Sequence, residues 1–301
     1  MTKRKQTSNN DARVAAIVTG LFAAAVILFF IFSKSSQHIR PHRAAATEAG
    51  DMYLPNENAK PTEKARVPVP HPVVVPGSGG KIAFILDDWG QSMVNCRYLE
   101  EIPEPLAVSI LPGLRHSKDV ASCAARGHKV AMLHLPMEAM QNFDSYYPPN
   151  YLIKTTMSPA LVTRILDADL AQLPSVEGVN NHMGSKATAD GPLMRIILRT
   201  LRARGLFFVD SMTSSHSVAA AVAQEMGVRF ARRNVFLDNV NTRPAIVKQI
   251  VILARIARRR GYAVAIGHDR HLTMQVLKDE IPWLESQGFQ IVSIKDLLQK
   301  R

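Results

Sequence analysis

Gly127, Gly205, Gly227, Gly261 and Gly288 each end a run of helical spacing and stand just before a short apolar run. A residue at that place commonly turns the chain out of a helix in the left-handed conformation, which glycine adopts without steric cost. From Lys81 onward the chain therefore reads as helices feeding strands. Strands are expected at 81–86, 106–111, 129–135, 176–181, 206–209, 228–231, 262–267 and 289–292, with helices near 91–101, 116–126, 159–172, 191–204, 216–226, 243–260 and 273–287. Ser158 and Asp190 are placed to cap two of these helices, with Pro159 and Pro192 in the first turns. Strands that are apolar almost throughout belong in a parallel sheet covered by helices. The repeat predicts an α/β fold, a distorted (β/α)7-8 barrel of parallel strands, with an open doubly wound sheet as the alternative.

Ahead of this region the pattern changes twice. Val14 to Phe32 form 19 uncharged, mostly apolar residues, enough to span about 28 Å as a helix. We read 14–32 as an uncleaved transmembrane signal anchor and 1–13 as its cytoplasmic N-terminus, because Lys3, Arg4, Lys5 and Arg13 slightly outweigh Lys34, Arg40 and Arg43. Residues 33–80 carry Pro55, Pro61, Pro68, Pro70, Pro72 and Pro76, end in Gly77-Ser78-Gly79-Gly80, and have no lasting apolar period. They are expected to be an extended linker that holds the domain at 81–301 off the bilayer. The expected placement is single-pass in the inner membrane, with the C-terminal domain extracytoplasmic.

Composition narrows the chemistry. The two cysteines, Cys96 and Cys123, belong to no CxxC pair, so a resident metal has to be held by histidine and carboxylate. The net charge of +12 would suit nucleic acid, yet only 6% of residues are aromatic and no nucleic-acid-binding motif occurs. Nucleic acid is not the expected partner.

In parallel α/β folds the working face lies at the carboxyl ends of the strands. The residues expected there are Asp87 and Asp88, His134 and Glu138, Asn180, Asn181 and His182, Asp210 and Ser211, and His268. Taken singly, each has a plain explanation as a helix cap, a core histidine or a turn residue. Independent caps have no reason to collect at one end of five strands, whereas a metal-dependent hydrolytic site needs imidazole and carboxylate ligands on one rim.

These residues carry a family resemblance. Ile85-Leu86-Asp87-Asp88-Trp89-Gly90, Gly127-His128 leading into His134-Leu135-Pro136-Met137-Glu138, Asn181-His182-Met183-Gly184-Ser185, Phe208-Val209-Asp210-Ser211 and Ala265-Ile266-Gly267-His268 resemble the divergent polysaccharide deacetylase family, over roughly residues 81–298. The resemblance implies removal of acetyl groups from a glycan, peptidoglycan or another envelope polysaccharide, with one divalent metal, commonly zinc. By position it implies Asp87 as general base, Asp88 and His134 as metal ligands, His268 as general acid and Asp210 as a further acidic residue of the site. Two departures stand out. Glu138 fills the place of the second motif histidine, and no Arg-x-Pro-Tyr segment occurs in order, since Arg243-Pro244 comes too late. His182 is therefore expected to complete the ligand set, with Glu138 as a weaker ligand. Trp89, Asn181, Ser185 and Ser211 are expected to face substrate, and amides near Trp89 or Gly184-Ser185 to bind the oxyanion. The alternative is a barrel that binds metal or glycan without turnover as an accessory of the cell envelope.

Overall fold

The computed structural model describes residues 79–141 and 151–299. The expected membrane span and nearly all of the linker lie outside the described residues, and no described helix is long and apolar enough to cross a membrane. Strands β1 (Gly80–Trp89), β2 (Leu106–Ile110), β3 (Val130–Met137), β4 (Gly178–Met183), β5 (Phe207–Asp210), β6 (Phe230–Arg232), β7 (Val235–Phe236), β8 (Tyr262–His268) and β9 (Phe289–Ile291) alternate with α1 (Cys96–Glu101), α2 (Ser117–Arg126), α3 (Pro159–Gln172), α4 (Gly191–Ala203), α5 (Ala219–Met226), α6 (Arg243–Arg260) and α7 (His271–Ser286). The caps act as expected: Ser158 Oγ accepts from Leu161 N and Asp190 Oδ1 from Leu193 N. Gly205, Gly227, Gly261 and Gly288 are left-handed, whereas Gly127 has φ −78° and His128 takes the left-handed turn at φ 54°.

Every strand pairing in the sheet is parallel, in the order β6-β5-β4-β3-β2-β1-β8-β7, with β9 added on β1. The sheet curls but does not close, because its end strands β6 and β7 do not pair with each other. Arg233 and Asn234 span that seam, Arg233 N donating to Asp210 O and Asn234 N to Val264 O. The architecture is a curled half-barrel rather than a closed one. The two-residue strand β7 is too short to leave a periodic signal, and residues 91–95 precede α1 instead of belonging to it.

The strands bury both faces. Outward residues such as Phe84, Leu86, Val108 and Leu133 pack under the helices. Inward residues Ala83, Ile85, Met132, Phe207, Val209, Val264 and Ile266 fill the curl together with Ile294, Leu297 and Leu298 from the C-terminal segment. Each large side chain so buried contributes roughly 1.5–3 kcal/mol. The apolar filling closes the amino end of the curl and leaves the carboxyl end to polar residues.

Candidate active site

Strand alternation decides which side chains meet. On β1, Ala83 and Ile85 point into the curl, so Asp87 does as well, while strict alternation would send Asp88 outward with Leu86. The strand breaks this rule. Its register against β2 slips between Leu86 and Trp89, and Asp88 adopts φ 66°. Such a bulge re-aims a side chain, and a left-handed non-glycine residue costs on the order of 1–3 kcal/mol. Both carboxylates thereby reach one rim. The same inward parity carries Met132 to His134 on β3, Gly178 to Asn180 and His182 on β4, and Val264 and Ile266 to His268 on β8. Register then aligns them, with Asp87 opposite His268 and His134 opposite Asn180.

Asp88, His134 and His182 converge. Asp88 Oδ1 lies 3.1 Å from His134 Nε2 and 2.9 Å from His182 Nδ1, and the two ring nitrogens are 3.1 Å apart. Ligand atoms on one tetrahedral ion at ordinary bond lengths stand about 3.3 Å apart, so this donor set fits a divalent ion such as zinc. Asn180 arranges the set: its Oδ1 is 2.8 Å from His134 Nδ1, and its Nδ2 donates to Asp87 Oδ1 at 2.9 Å. The first contact makes Nδ1 the protonated nitrogen and leaves the His134 Nε2 lone pair facing the cluster. Side-chain exposure rises from 3% at His134 to 11% at His182 and 37% at Asp88. One side of the cluster is therefore open to solvent.

Electrostatics separates the two aspartates. Burial raises the Asp87 carboxyl above the usual range, with His134 opposing it. Burial pushes Asp88 the same way, but His182 and His134 overcome it and hold that carboxyl well below the usual range. For His134 the burial effect is downward and is overcome by Asp87 and Asp88. His268 stands opposite the cluster, its Nε2 4.0 Å from Asp88 Oδ2. Its Nδ1 donates to Asp238 Oδ1 at 2.7 Å and its backbone N to Asp238 Oδ2 at 2.9 Å, and Thr273 donates to Oδ2. Burial would lower the imidazole, but Asp238, itself fully buried, raises it to about 9. The Phe236 ring stacks on His268 at 5.6 Å and 12°, and the Arg233 guanidinium lies 3.7 Å from the Phe236 ring centre. Arg233 donates to the carbonyls of Ser211 and Met212, and burial brings its own pKa down to about 10.

Asp87, Asp88, His134, His182 and His268 are thus gathered at one rim; other expected residues sit elsewhere. Glu138 Oε2 accepts from Thr155 N and Oγ1, and Oε1 pairs with Lys186 at 2.7 Å. It ties two loops together and is not part of the three-residue cluster. Asp210 falls on the outward parity with Phe208, and its oxygens accept from Met212 N and Ser217 Oγ, so it braces the loop after β5. Trp89 requires a correction: beyond the bulge its ring is fully buried in the core under α1 and α2, and it cannot face substrate. Asn181 accepts from Ser211 N and donates to Met183 O, while Ser185 Oγ accepts from Met140 N. Ser211 Oγ accepts from Asn180 Nδ2. Asn180 stands at the rim where it was expected, Asp238 and Arg233 support it from the loops beside β7, and Phe236 is an addition to the expected residues. Inward parity was the signal for Asn180, and the spacing of Asp238 beyond Phe236 on the same parity was the signal for the pair that supports His268.

Residues 84–298 match the divergent polysaccharide deacetylase family. The chain belongs to that family. Among its relatives are YibQ of Escherichia coli K12, 33% identical over 211 residues that make up 68% of this chain and 64% of YibQ, and a Haemophilus influenzae Rd protein, 32% identical over 66% of this chain and 70% of its own. This chain therefore spans just under two thirds of YibQ. The solved structure of Agrobacterium tumefaciens C58 protein ATU2773 shares the fold, with a TM-score of 0.69 at 19% identity over 75% of this chain and 92% of that one. In this member of the divergent polysaccharide deacetylases, Arg233 stands at the seam between β6 and β7, where the charges of Asp210 and Asp87 act on its guanidinium.

Proposed function

We propose that this protein hydrolyses acetyl groups from a glycan, with a divalent ion held by Asp88, His134 and His182. The observation that carries the reading is the pairing of this cluster with two differently tuned groups beside it, Asp87 and the Asp238–His268 couple. A bound divalent ion supplies Lewis-acid polarisation of an acetyl carbonyl and makes water more acidic. Asp87, raised by burial and oriented by Asn180, is the base that takes a proton from the attacking water. His268, protonated at neutral pH, donates a proton from Nε2 to the departing amine or alkoxide, leaving acetate and the free sugar group. A carboxylate and an imidazole, each tuned by its own surroundings, suit these opposite roles.

The substrate is an acetylated polysaccharide of the envelope kind, peptidoglycan first, and residues 14–32 anchor the protein so that the catalytic domain works outside the cytoplasm. Full-length protein in detergent, loaded with zinc, is expected to release acetate from acetylated glucosamine oligomers, and chelation is expected to abolish the release. Glycan binding without acetate release under every metal tried would replace this reading with that of a binding protein.

A further inference from the structure

The chain has two cysteines, and the fold brings them together although they lie 27 positions apart on different helices. Both are buried, Cys96 at the start of α1 and Cys123 inside α2. Cys123 Sγ donates to the Cys96 carbonyl at 3.4 Å, and Cys96 Sγ donates to Met93 Sδ at 3.8 Å. Packing explains the meeting. A Cβ on Gly127 would collide with the Leu99 carbonyl, so α1 approaches the end of α2 at backbone distance. Cys96 precedes Leu99 by three residues and Cys123 precedes Gly127 by four, which puts each thiol on the same helix face as that close approach.

We propose that Cys96 and Cys123 form an intramolecular disulfide, made by exchange with a small-molecule disulfide or the disulfide of a thiol oxidoreductase. One thiolate attacks the oxidant, forming a mixed disulfide and releasing one reduced sulfur. The second cysteine then displaces the remaining oxidant sulfur and closes the Cys96–Cys123 bond. Two electrons pass to the oxidant, and the two thiol protons leave the protein. Burial raises the Cys96 thiol and holds it in the unreactive form once the helices have packed. Exchange therefore takes place during folding, and the bond is then sealed in the core. It pins α1 beneath the loop that carries Asn95, whose Nδ2 donates to Asp269 at 2.7 Å, while Asp269 N donates to the carbonyl of Asp87. The crosslink thus steadies the segment that follows the strand bearing both site aspartates.

The test uses the full chain, unfolded under reduction and refolded with oxidised glutathione, then alkylated in denaturant. The expected product is monomeric, two hydrogens lighter than the reduced chain, with neither cysteine alkylated and a Cys96–Cys123 linked peptide after proteolysis. Its thermal midpoint should fall by roughly 5–10 °C on reduction, and Cys96→Ala and Cys123→Ala should remove that reductant-dependent shift. Two alkylated thiols after oxidative refolding, or only glutathione adducts and intermolecular dimers, would overturn the proposal. The mass measurement on the unsubstituted chain decides the matter even if a variant does not fold.

Discussion

The two ends of the curled sheet are built from the same strands and obey opposite rules. At the amino end the inward positions are apolar, closed by Ile294, Leu297 and Leu298, and the left-handed turns at Gly80, Gly205, Gly227, Gly261 and Gly288 are taken by glycine. At the carboxyl end the last inward positions become Asp87, His134, Asn180, Ser211 and His268, and beside Gly90, Gly113 and Gly184 three side-chain-bearing residues, Asp88, Met183 and Met212, accept positive φ. Among the described residues only His128 does so elsewhere. Glycine relieves strain where the turn alone matters. At Asp88 glycine would relieve the backbone but remove the carboxylate that meets His134 and His182. Apolar packing is concentrated at one end and titratable side chains at the other.

Breaking the polar end at its centre should have the largest effect. Asp88→Ala is expected to abolish metal retention on dialysis and to cut acetate release by roughly 10⁴-fold or more, because Lewis-acid assistance is worth several kcal/mol. Metal analysis beside a turnover assay checks both, and full metal content in the variant would remove Asp88 from the ligand set. Asp87→Asn sharpens the division within the rim. Metal should remain, while turnover drops about 10³-fold through loss of the base; a variant with unchanged turnover rejects that role. Ile294→Ala tests the opposite end. Its cavity should cost roughly 2–4 kcal/mol in denaturant unfolding with metal stoichiometry unchanged, and loss of metal without loss of stability would contradict the separation of the two ends.

The smallest effect is a displacement in pH. The His268 imidazole is raised to about 9 in the fold, against about 6.5 when free. A group whose folded pKa is raised stabilises the protein fully below the free value, and that contribution is lost as pH rises through the folded one. With His268 as the proposed acid, the same titration is expected to set the alkaline limb of activity near pH 9. Asp238→Asn removes the main upward influence and should move this limb toward pH 6.5, leaving the acid limb in place. A pH–rate profile whose alkaline limb stays near 9 in the variant would show that Asp238 does not tune His268.

Much of this was readable in advance, and what was not has a common cause. Caps and alternating apolar runs are local, so Ser158, Asp190 and most strands stand where the pattern put them. The need for a turn to bring Asp87 and Asp88 to one rim also follows from alternation, and the bulge supplies it. Trp89 lies in the core and Asp210, at the end of its strand as expected, sits on the outward parity, because one residue of parity separates the inside of the curl from its helix-covered face. The resemblance put Glu138 forward as a weaker ligand, but only the fold brings Lys186 and Thr155 to it.

From sequence alone followed the α/β repeat and the carboxyl-end rim with its histidines and aspartates, which rest on short-range periodicity and residue chemistry, and the family, which rests on the resemblance of short motifs. Tertiary structure alone decided that the sheet stays open between β6 and β7, that Asp238 lies behind His268, and that Cys96 meets Cys123. Each of these is a contact between segments distant in the chain. Which distant segments meet is set by strand register and the packing of whole helices, and no local pattern encodes either.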